Sequence, residues 1–347
     1  MKHWITSLRI AATLVGTIVG AGFATGKEII QFFSSYGAWG TLGILIVGLL
    51  FMFISTKMMV LSHDIQAHSF KEFNHYLFGS RLGTFLSILT VWMMIGVTAV
   101  MLSGAGALFH EQLGWSPLFG IFLTMGLCYL FLQRGIQGVF AVNSLVVPLM
   151  VTVILIISVI RFPTLHLHDW FPHFHLVIPP MQFLVSAIYY VSFNIVTTQA
   201  VLVPLGQEIS DRRSLIKGGI LGGLLFTLCL MAAHLALTSL PSNQSYDIPM
   251  AALASNMGTI LYFSIFVLIF GEILTTYVGN LYGMTRHFSQ TLGLSPFQIT
   301  LGLLLITFAI SLFDYGRLIE SLYPFFGQLG LLFTFILFFK KKADKPF

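Results

Sequence analysis

Long apolar runs constrain this chain more than any other feature. A membrane-crossing helix needs roughly 20 mostly apolar residues, and ten stretches of the sequence qualify. Hydrophobic residues make up 56% of the 347 residues and charged residues 8%, a balance that no soluble interior of this size could bury. We therefore predict an all-α polytopic membrane protein in a lipid bilayer. The predicted spans are 7–33, 39–61, 83–108, 117–131, 138–160, 181–203, 216–237, 260–282, 297–313 and 322–339.

The distribution of basic residues predicts how the chain is oriented. If the amino terminus is cytoplasmic, the only Lys and Arg residues on the outer side are Lys27, Arg161 and Arg317. Because cytoplasmic loops are enriched in Lys and Arg, we predict a multi-pass protein of the cell membrane with both termini inside. The net charge of +5 fits an anionic membrane surface better than nucleic acid. The sequence does not predict an oligomeric state.

The ten predicted spans divide into two sets of five at the loop 163–180. Because five is odd, the second set enters the membrane from the opposite side, which is the arrangement of an inverted repeat. We predict one transmembrane domain over residues 1–347, with a first repeat at about 7–161 and a second at about 181–340. Such repeats place their binding site near the middle of the membrane.

A glycine-rich, charge-free segment lies inside the first span. Gly16, Gly20, Gly22 and Gly26 fall within eleven residues, and each glycine weakens a helix by about 1 kcal/mol relative to Ala. A broken helix is tolerated in the membrane only where its freed amides line a cavity or bind something. The repeat predicts a matching break in the sixth span, where residues 189–199 form the densest polar cluster of any span but contain no glycine.

On these features the chain resembles the LeuT-fold transporters of the amino acid-polyamine-organocation superfamily. It is more closely similar to the uncharacterised bacterial membrane proteins called YkvI-like. The resemblance covers nearly the whole chain and is carried by the five-plus-five spans, the Val-Gly-Ala-Gly-Phe motif at 19–23 and the aromatic-Ser cluster of the sixth span. It implies a secondary transporter that moves a small solute by alternating access, with no cofactor other than a bound sodium ion.

The eighth span carries an oxygen-rich helix face. Glu272, Thr275 and Thr276 lie at i, i+3 and i+4 in an otherwise apolar helix, so they share one face. The resemblance implies a sodium ion held by these two hydroxyls, the Glu272 carbonyl and the carbonyls of Gly16 and Val19. Threonine pairs also occur in membrane helices because they bond back to the preceding turn. The resemblance does not imply the family's second sodium site, because that site uses a first-span asparagine at the position where this chain has Phe23.

The break also predicts a substrate site. A half-helix that starts at the break directs its positive amino end at an anionic group such as a carboxylate. This favours an amino acid or a related zwitterion. The predicted contacts are Gly20, Ala21, Gly22 and Phe23 from the first span with Tyr189, Ser192, Phe193 and Asn194 from the sixth.

Ionisable residues at membrane depth are rare and usually functional. Glu272 is either a proton carrier, which would make transport proton-coupled, or a neutral carboxyl bonded to a neighbouring helix. Lys27 and Glu28 follow the glycine segment as gate or proton-handling residues. Lys27 either pairs with Glu320 as an outer gate or extends its amine to the interface.

The seventh span carries two structural signals. Gly218, Gly219, Gly222 and Gly223 put small residues at i and i+4, which predicts close helix packing. His234 is interpreted as a hydrogen-bonded interior side chain.

Other functional classes are less well supported. The segment around Lys27 fits neither a phosphate loop nor a dinucleotide fingerprint, and no nucleophile-base-acid set is evident, so we do not expect an enzyme. The alternative to transport is a ligand sensor that keeps the fold and the pocket without cycling, as some germinant-receptor subunits that resemble this superfamily do.

Overall fold

The chain folds into a bundle of helices. The computed structural model describes residues 2–161, 181–240, 248–254, 258–313 and 315–340, and these residues contain no strand. The all-α prediction is confirmed. The helices are α1 (Lys2–Ile18), α2 (Ala21–Thr25), α3 (Lys27–Phe32), α4 (Ala38–Ile65), α5 (Phe70–Leu113), α6 (Pro117–Leu132), α7 (Ile136–Arg161), α8 (Gln182–Glu208), α9 (Arg212–Leu237), α10 (Pro249–Ala254), α11 (Thr259–Leu292), α12 (Pro296–Ser311) and α13 (Tyr315–Phe339), with a 3-10 turn at Ser34–Tyr36.

Six of these helices, within the described residues, are long and apolar enough to cross a membrane: α4, α5, α7, α8, α9 and α11. Three shorter apolar stretches are α6, α12 and residues 325–339 of α13. Together with the segmented first span, α1 to α3, they coincide with the ten predicted spans. A multi-pass membrane protein is supported, and the count of ten crossings stays a prediction.

The contacts between helices form matching pairs, as expected if the second and seventh spans each pack against the first helix of the other set of five. In the order of the predicted spans, α1 corresponds to α8, α4 to α9 and α7 to α13. Helix α1 packs along α9, and α8 packs along α4. Helix α7 packs on α1, and α13 packs on α8. Each contact between two helices therefore has a counterpart in the other set of five. Helix α8 lies at the centre of the bundle, since 89% of its most apolar stretch is buried.

Glycines let α9 approach two neighbours closely. A Cβ added to Gly222 would lie 3.1 Å from the Cα of Ala11 in α1, and one added to Gly223 would lie 2.8 Å from the Cα of Met52 in α4. Gly218 and Gly219 repeat the two contacts one turn earlier. The predicted packing role of this glycine stripe is confirmed.

The predicted break in the sixth span is wrong, because α8 runs without interruption from Gln182 to Glu208. Two of its polar side chains bond back to the preceding turn of their own helix. Asn194 Nδ2 donates to the Tyr190 carbonyl at 3.0 Å, and Thr197 Oγ1 donates to the Asn194 carbonyl at 3.0 Å. Since the segment has no glycine to loosen its backbone, these bonds back to the preceding turn leave the helix intact.

Asp211 holds the start of α9 and ties it to the start of α1. Its carboxylate accepts a hydrogen bond from Ser214 Oγ at 2.5 Å and from the Ser214 backbone N–H at 3.1 Å. The ring of His3 lies 2.8 Å away. The hydrogen bonds from the Ser214 hydroxyl, from His3 and from the Arg213 backbone N–H lower the pKa of Asp211 to about 2.

We expect Gly223→Ala to destabilise the protein by roughly 1–3 kcal/mol, because the new methyl group would overlap the backbone of α4. Gly302→Ala in α12 is the matched control, since no atom lies within 4 Å of its added Cβ. That variant should be neutral or gain up to about 1 kcal/mol from better helix propensity. Melting temperatures in detergent measure both. Equal melting temperatures for the two variants would contradict the packing described for α9.

Candidate functional site

The first span is interrupted at Val19 and Gly20. The hydrogen-bond ladder of α1 ends with Val19 N–H to the Val15 carbonyl at 2.8 Å and restarts with Ala24 N–H to the Gly20 carbonyl at 2.9 Å. Gly20 is extended, with φ −134° and ψ −169°. Carbonyls at the end of α1 and amides at the start of α2 are therefore left outside the ladder. The predicted interruption of the first span is present.

The second half of this span is not one helix. Helix α2 has five residues and is followed by Gly26, whose φ of 87° lies in the left-handed region. Helix α3 then restarts for six residues. Left-handed backbone is readily adopted only by glycine, so Gly26 redirects the chain. The predicted half-helix dipole is consequently confined to little more than one turn.

The interruption faces α11 through a direct hydrogen bond. Thr276 Oγ1 donates to the Val19 carbonyl at 2.7 Å, and both residues are buried. Thr275 Oγ1 instead donates to the Glu272 carbonyl of its own helix at 2.9 Å. The structure thus joins two of the predicted sodium ligands across α1 and α11, while Thr275 makes the local bond that competes with an ion-binding role.

Asn143 of α7 packs against the end of α1 and was not singled out from the sequence. A Cβ on Gly16 would lie 1.8 Å from Asn143 Oδ1, so only glycine allows this approach. Asn143 Nδ2 donates to the Val139 carbonyl at 2.8 Å. Its Oδ1 is buried and has no hydrogen-bond partner among the described residues. The sequence feature that could have identified Asn143 is its position as the single asparagine of a mostly apolar span.

Glu272 is fully buried in α11. Its Oε2 lies 3.5 Å from Thr275 Oγ1, and its Oε1 has no partner within the described part of the chain. Glu272 is not among the residues that line the cavity at the break. The Glu272 side chain therefore does not border that cavity.

A small cavity of about 20 Å³ lies at the interruption, which is about the room that one water molecule needs. Gly20 lines it together with Phe193 and Asn194 of α8. Three of the predicted substrate contacts therefore meet at one place. The other described lining residues are Thr17, Ile18, Glu28, Val97, Met101, Thr197, Thr276, Asn280 and Tyr323. We call this space the central cavity.

Glu28 reaches the central cavity because Gly22 has no side chain. A Cβ on Gly22 would lie 2.6 Å from Glu28 Oε2 and 3.4 Å from the ring of Tyr323. Glu28 is 2% exposed, and its carboxyl lies beside the side chains of Tyr190 and Asn194 of α8. Its Oε1 has no hydrogen-bond partner among the described residues. The structure places this carboxyl at the centre of the bundle.

Other predicted substrate contacts lie away from the cavity. Phe23 packs against Phe226 of α9, with ring centroids 5.9 Å apart. Tyr189 packs against α13, where a Cβ on Gly327 would lie 2.9 Å from the Tyr189 Cβ. Ser192 is buried, but it is not a lining residue. Ala21 contributes its backbone at the first position of α2.

Tyr190, rather than its neighbour Tyr189, faces the interrupted span. It is fully buried, and its ring packs on those of Phe32 and Phe33, with centroids 5.3 and 5.0 Å away. Adjacent residues on a helix point about 100° apart, so the sequence alone did not settle which tyrosine faces inward.

Lys27 lines a larger pocket of about 540 Å³ on the predicted outer side, together with Glu111 and Ile248. We call this pocket the outer vestibule. The Glu320 side chain lies outside the described residues, so the proposed pairing with Lys27 stays a prediction.

A polar network on the predicted cytoplasmic side joins α8 to α11 and was missed from the sequence. Arg286 forms an ion pair with Glu208. Arg286 Nη1 also donates to the Tyr282 hydroxyl at 2.8 Å, and Nη2 donates to Gln207 Oε1 at 3.2 Å. Gln207 and Glu208 end α8, whereas Tyr282 and Arg286 lie inside α11, so the network depends on how the two helices pack and no sequence pattern marked it.

His234 is an interior hydrogen-bonding residue, as predicted. Its ring nitrogens lie 2.9 Å from Ser34 Oγ and 3.1 Å from Thr41 Oγ1. The side chain therefore links α9 to the 3-10 turn and to α4.

The fold and the interrupted first span define a membrane protein of the LeuT-fold class. Two solved structures share the fold. One is MhsT in complex with L-phenylalanine, at a TM-score of 0.69 and 17% identity, covering 95% of this chain and 87% of that one. The other is a Na+-coupled sialic acid symporter, at a TM-score of 0.72 and 16% identity, covering 96% and 77%.

The chain belongs to the spore permease family, described as spore germination protein, whose model matches residues 4–315. It is also 39% identical over 337 residues to the uncharacterized membrane protein YkvI of Bacillus subtilis (strain 168), covering 96% of this chain and 95% of that protein. The resemblance predicted from the sequence is confirmed.

We expect Gly22→Ala to lower stability by roughly 1–3 kcal/mol, because the added methyl group would displace the buried Glu28 carboxyl. Gly20→Ala is the matched control, since its Cβ would meet Met101 Sδ and Thr276 Oγ1 at an ordinary 3.4 Å. Thermal melting in detergent compares the two variants. A Gly20→Ala variant as unstable as Gly22→Ala would argue against this placement of Glu28.

Proposed function

We propose that this protein is a secondary transporter that moves a small solute across the membrane by alternating access, with a cation as the coupling partner. An interrupted span that borders an enclosed cavity in the middle of the bundle supports this function, because unpaired backbone groups in a membrane need a ligand or a cavity. The fold shared with cation-coupled transporters agrees with it.

The contact between Val19 and Thr276 carries the proposal. It brings a freed carbonyl oxygen and a hydroxyl oxygen to 2.7 Å, and oxygens of these two kinds coordinate sodium at broken helices. An ion between them would require the hydroxyl proton to turn away from the carbonyl. We propose sodium as the coupling ion, with the Gly16 carbonyl, Thr275 and the Glu272 carbonyl as further ligands.

The substrate class follows from the same site. We propose an amino acid or a related zwitterion bound next to Gly20, Phe193 and Asn194. MhsT, which has a similar fold, has been solved in complex with L-phenylalanine, and this supports a solute of the size of an amino acid.

A proton is the alternative coupling ion. Buried Glu272 lies on the same helix as Thr276, and its Oε1 has no partner among the described residues. A carboxyl in such a place can carry a proton between the two sides of the membrane. In this case Glu272→Gln would abolish uptake driven by a pH gradient. If sodium is the coupling ion, the same variant would keep uptake driven by a sodium gradient.

A ligand sensor is the second candidate function, and the family description, spore germination protein, favours it. A sensor would bind its ligand in the same cavity without accumulating it. Reconstituted vesicles separate the two candidates, because only a transporter concentrates solute against a gradient.

We expect Thr276→Val to reduce sodium-dependent uptake by about tenfold or more, because valine keeps the shape and removes the oxygen that faces the Val19 carbonyl. The measurement is uptake of radiolabelled amino acids into proteoliposomes under an inward sodium gradient. A sodium-dependent rise in melting temperature, which reports binding to the folded state, is measured in parallel.

Thr124→Val is the matched control. Its hydroxyl is buried and donates to the Gly120 carbonyl of its own helix at 2.7 Å, so the same change removes only a local bond. Uptake by this variant should equal that of the parent protein. If uptake by the parent protein depends on a pH gradient and not on a sodium gradient, sodium coupling is wrong. Proton coupling through Glu272 is then the favoured mechanism. Ligand binding without accumulation under any gradient would favour the sensor.

A further inference from the structure

Glu28 presents a buried carboxyl to the central cavity without a cation beside it. Among the described lining residues, none is Lys, Arg or His. Lys27, its neighbour in sequence, lines the outer vestibule instead. Glu28 Oε1 has no hydrogen-bond partner in the described part of the chain, and the residue is 2% exposed. The proposed sodium site does not include this group.

Burial of an isolated carboxylate is costly, and a cation or a proton must compensate it. The surroundings are built to keep the group in place. Gly22 leaves room for the carboxyl, and the side chains of Tyr190 and Asn194 lie beside it. The carboxyl is therefore held at the cavity, where the proposed function places the solute.

The cavity wall is suited to an organic cation. The rings of Phe193 and Tyr323 both line it, with centroids 4.7 Å apart, and aromatic rings attract ammonium groups. Met101 adds a flexible apolar side chain, which can adjust to different solutes. The present volume of about 20 Å³ accommodates an ammonium group but not a whole amino acid, so the rest of the solute requires the cavity to widen.

We propose that Glu28 binds the ammonium group of the solute and thereby makes a cationic amine the required feature of the substrate class. The proposal deepens the proposed function, on which it rests for the location of the solute. It predicts that a solute with an ammonium group and no carboxylate is recognised, whereas a solute with a carboxylate and no ammonium is not.

The test compares three probes of nearly equal shape at neutral pH and constant ionic strength. L-alaninamide carries the ammonium alone, propionate carries the carboxylate alone, and L-alanine carries both. Melting temperature of the purified full-length protein in detergent reports binding. We expect L-alaninamide and L-alanine to raise it in a saturable way, and propionate to leave it unchanged.

Glu28→Gln keeps the size of the side chain and removes its charge. We expect its affinity for L-alaninamide to fall at least about tenfold, which corresponds to about 1.4 kcal/mol. Glu72→Gln is the matched control, since this carboxylate accepts from the exposed His68 N–H near the start of α5. If Glu28→Gln does not fold, Glu28→Asp keeps the charge and should retain the preference for L-alaninamide over propionate with weaker binding.

Several results would overturn the inference. One is an equal response to propionate and L-alaninamide, and another is wild-type affinity in a folded Glu28→Gln variant. No response to either ammonium probe in the parent protein would mean that Glu28 holds only a proton. These outcomes are separate from transport itself, because uptake of a neutral or anionic solute by wild type and Glu28→Gln alike would preserve the proposed function and refute only the role of Glu28.

Discussion

The hydrogen bond from Thr276 to the Val19 carbonyl is the contact on which the architecture of the site depends. A helix interrupted in the middle of a membrane must find partners for its freed backbone groups, and α11 supplies one of them through a side chain. The same bond fixes the end of α1 against α11. The interruption is thereby held at one depth in the bundle, next to the residues that line the central cavity.

Glycines around the interruption determine which polar groups can enter the core. At Gly16 the missing side chain admits the Asn143 amide, and at Gly22 it admits the Glu28 carboxyl. Both groups keep an oxygen without a partner among the described residues. Since a buried polar group without a partner costs free energy, each of these oxygens is available to accept a hydrogen bond from a water molecule or a solute.

Much of the fold could be predicted from composition and hydropathy, because the membrane requires long apolar helices and leaves few alternatives. The glycine spacing located the break in the first span. The prediction of a break in α8 was wrong. It was based on symmetry between the repeats, but whether a helix breaks is decided by its own residues, and in α8 the hydroxyl and amide side chains bond within a continuous helix. The inward positions of Glu28 and Tyr190 depend on the turn at Gly26 and on helix rotation, which a linear pattern does not encode. The network of Arg286 with Glu208 joins residues of two helices that are distant in sequence.

The contrast between the first and sixth spans has a mechanical consequence. Helix α8 is one continuous helix from Gln182 to Glu208, whereas the first span consists of α1, α2 and α3 joined at Gly20 and Gly26. The backbone of the first span can therefore bend most readily at Gly20 and Gly26, whereas α8 has no matching break. The first and sixth spans are therefore not mechanically equivalent, although they occupy matching places in the order of the predicted spans.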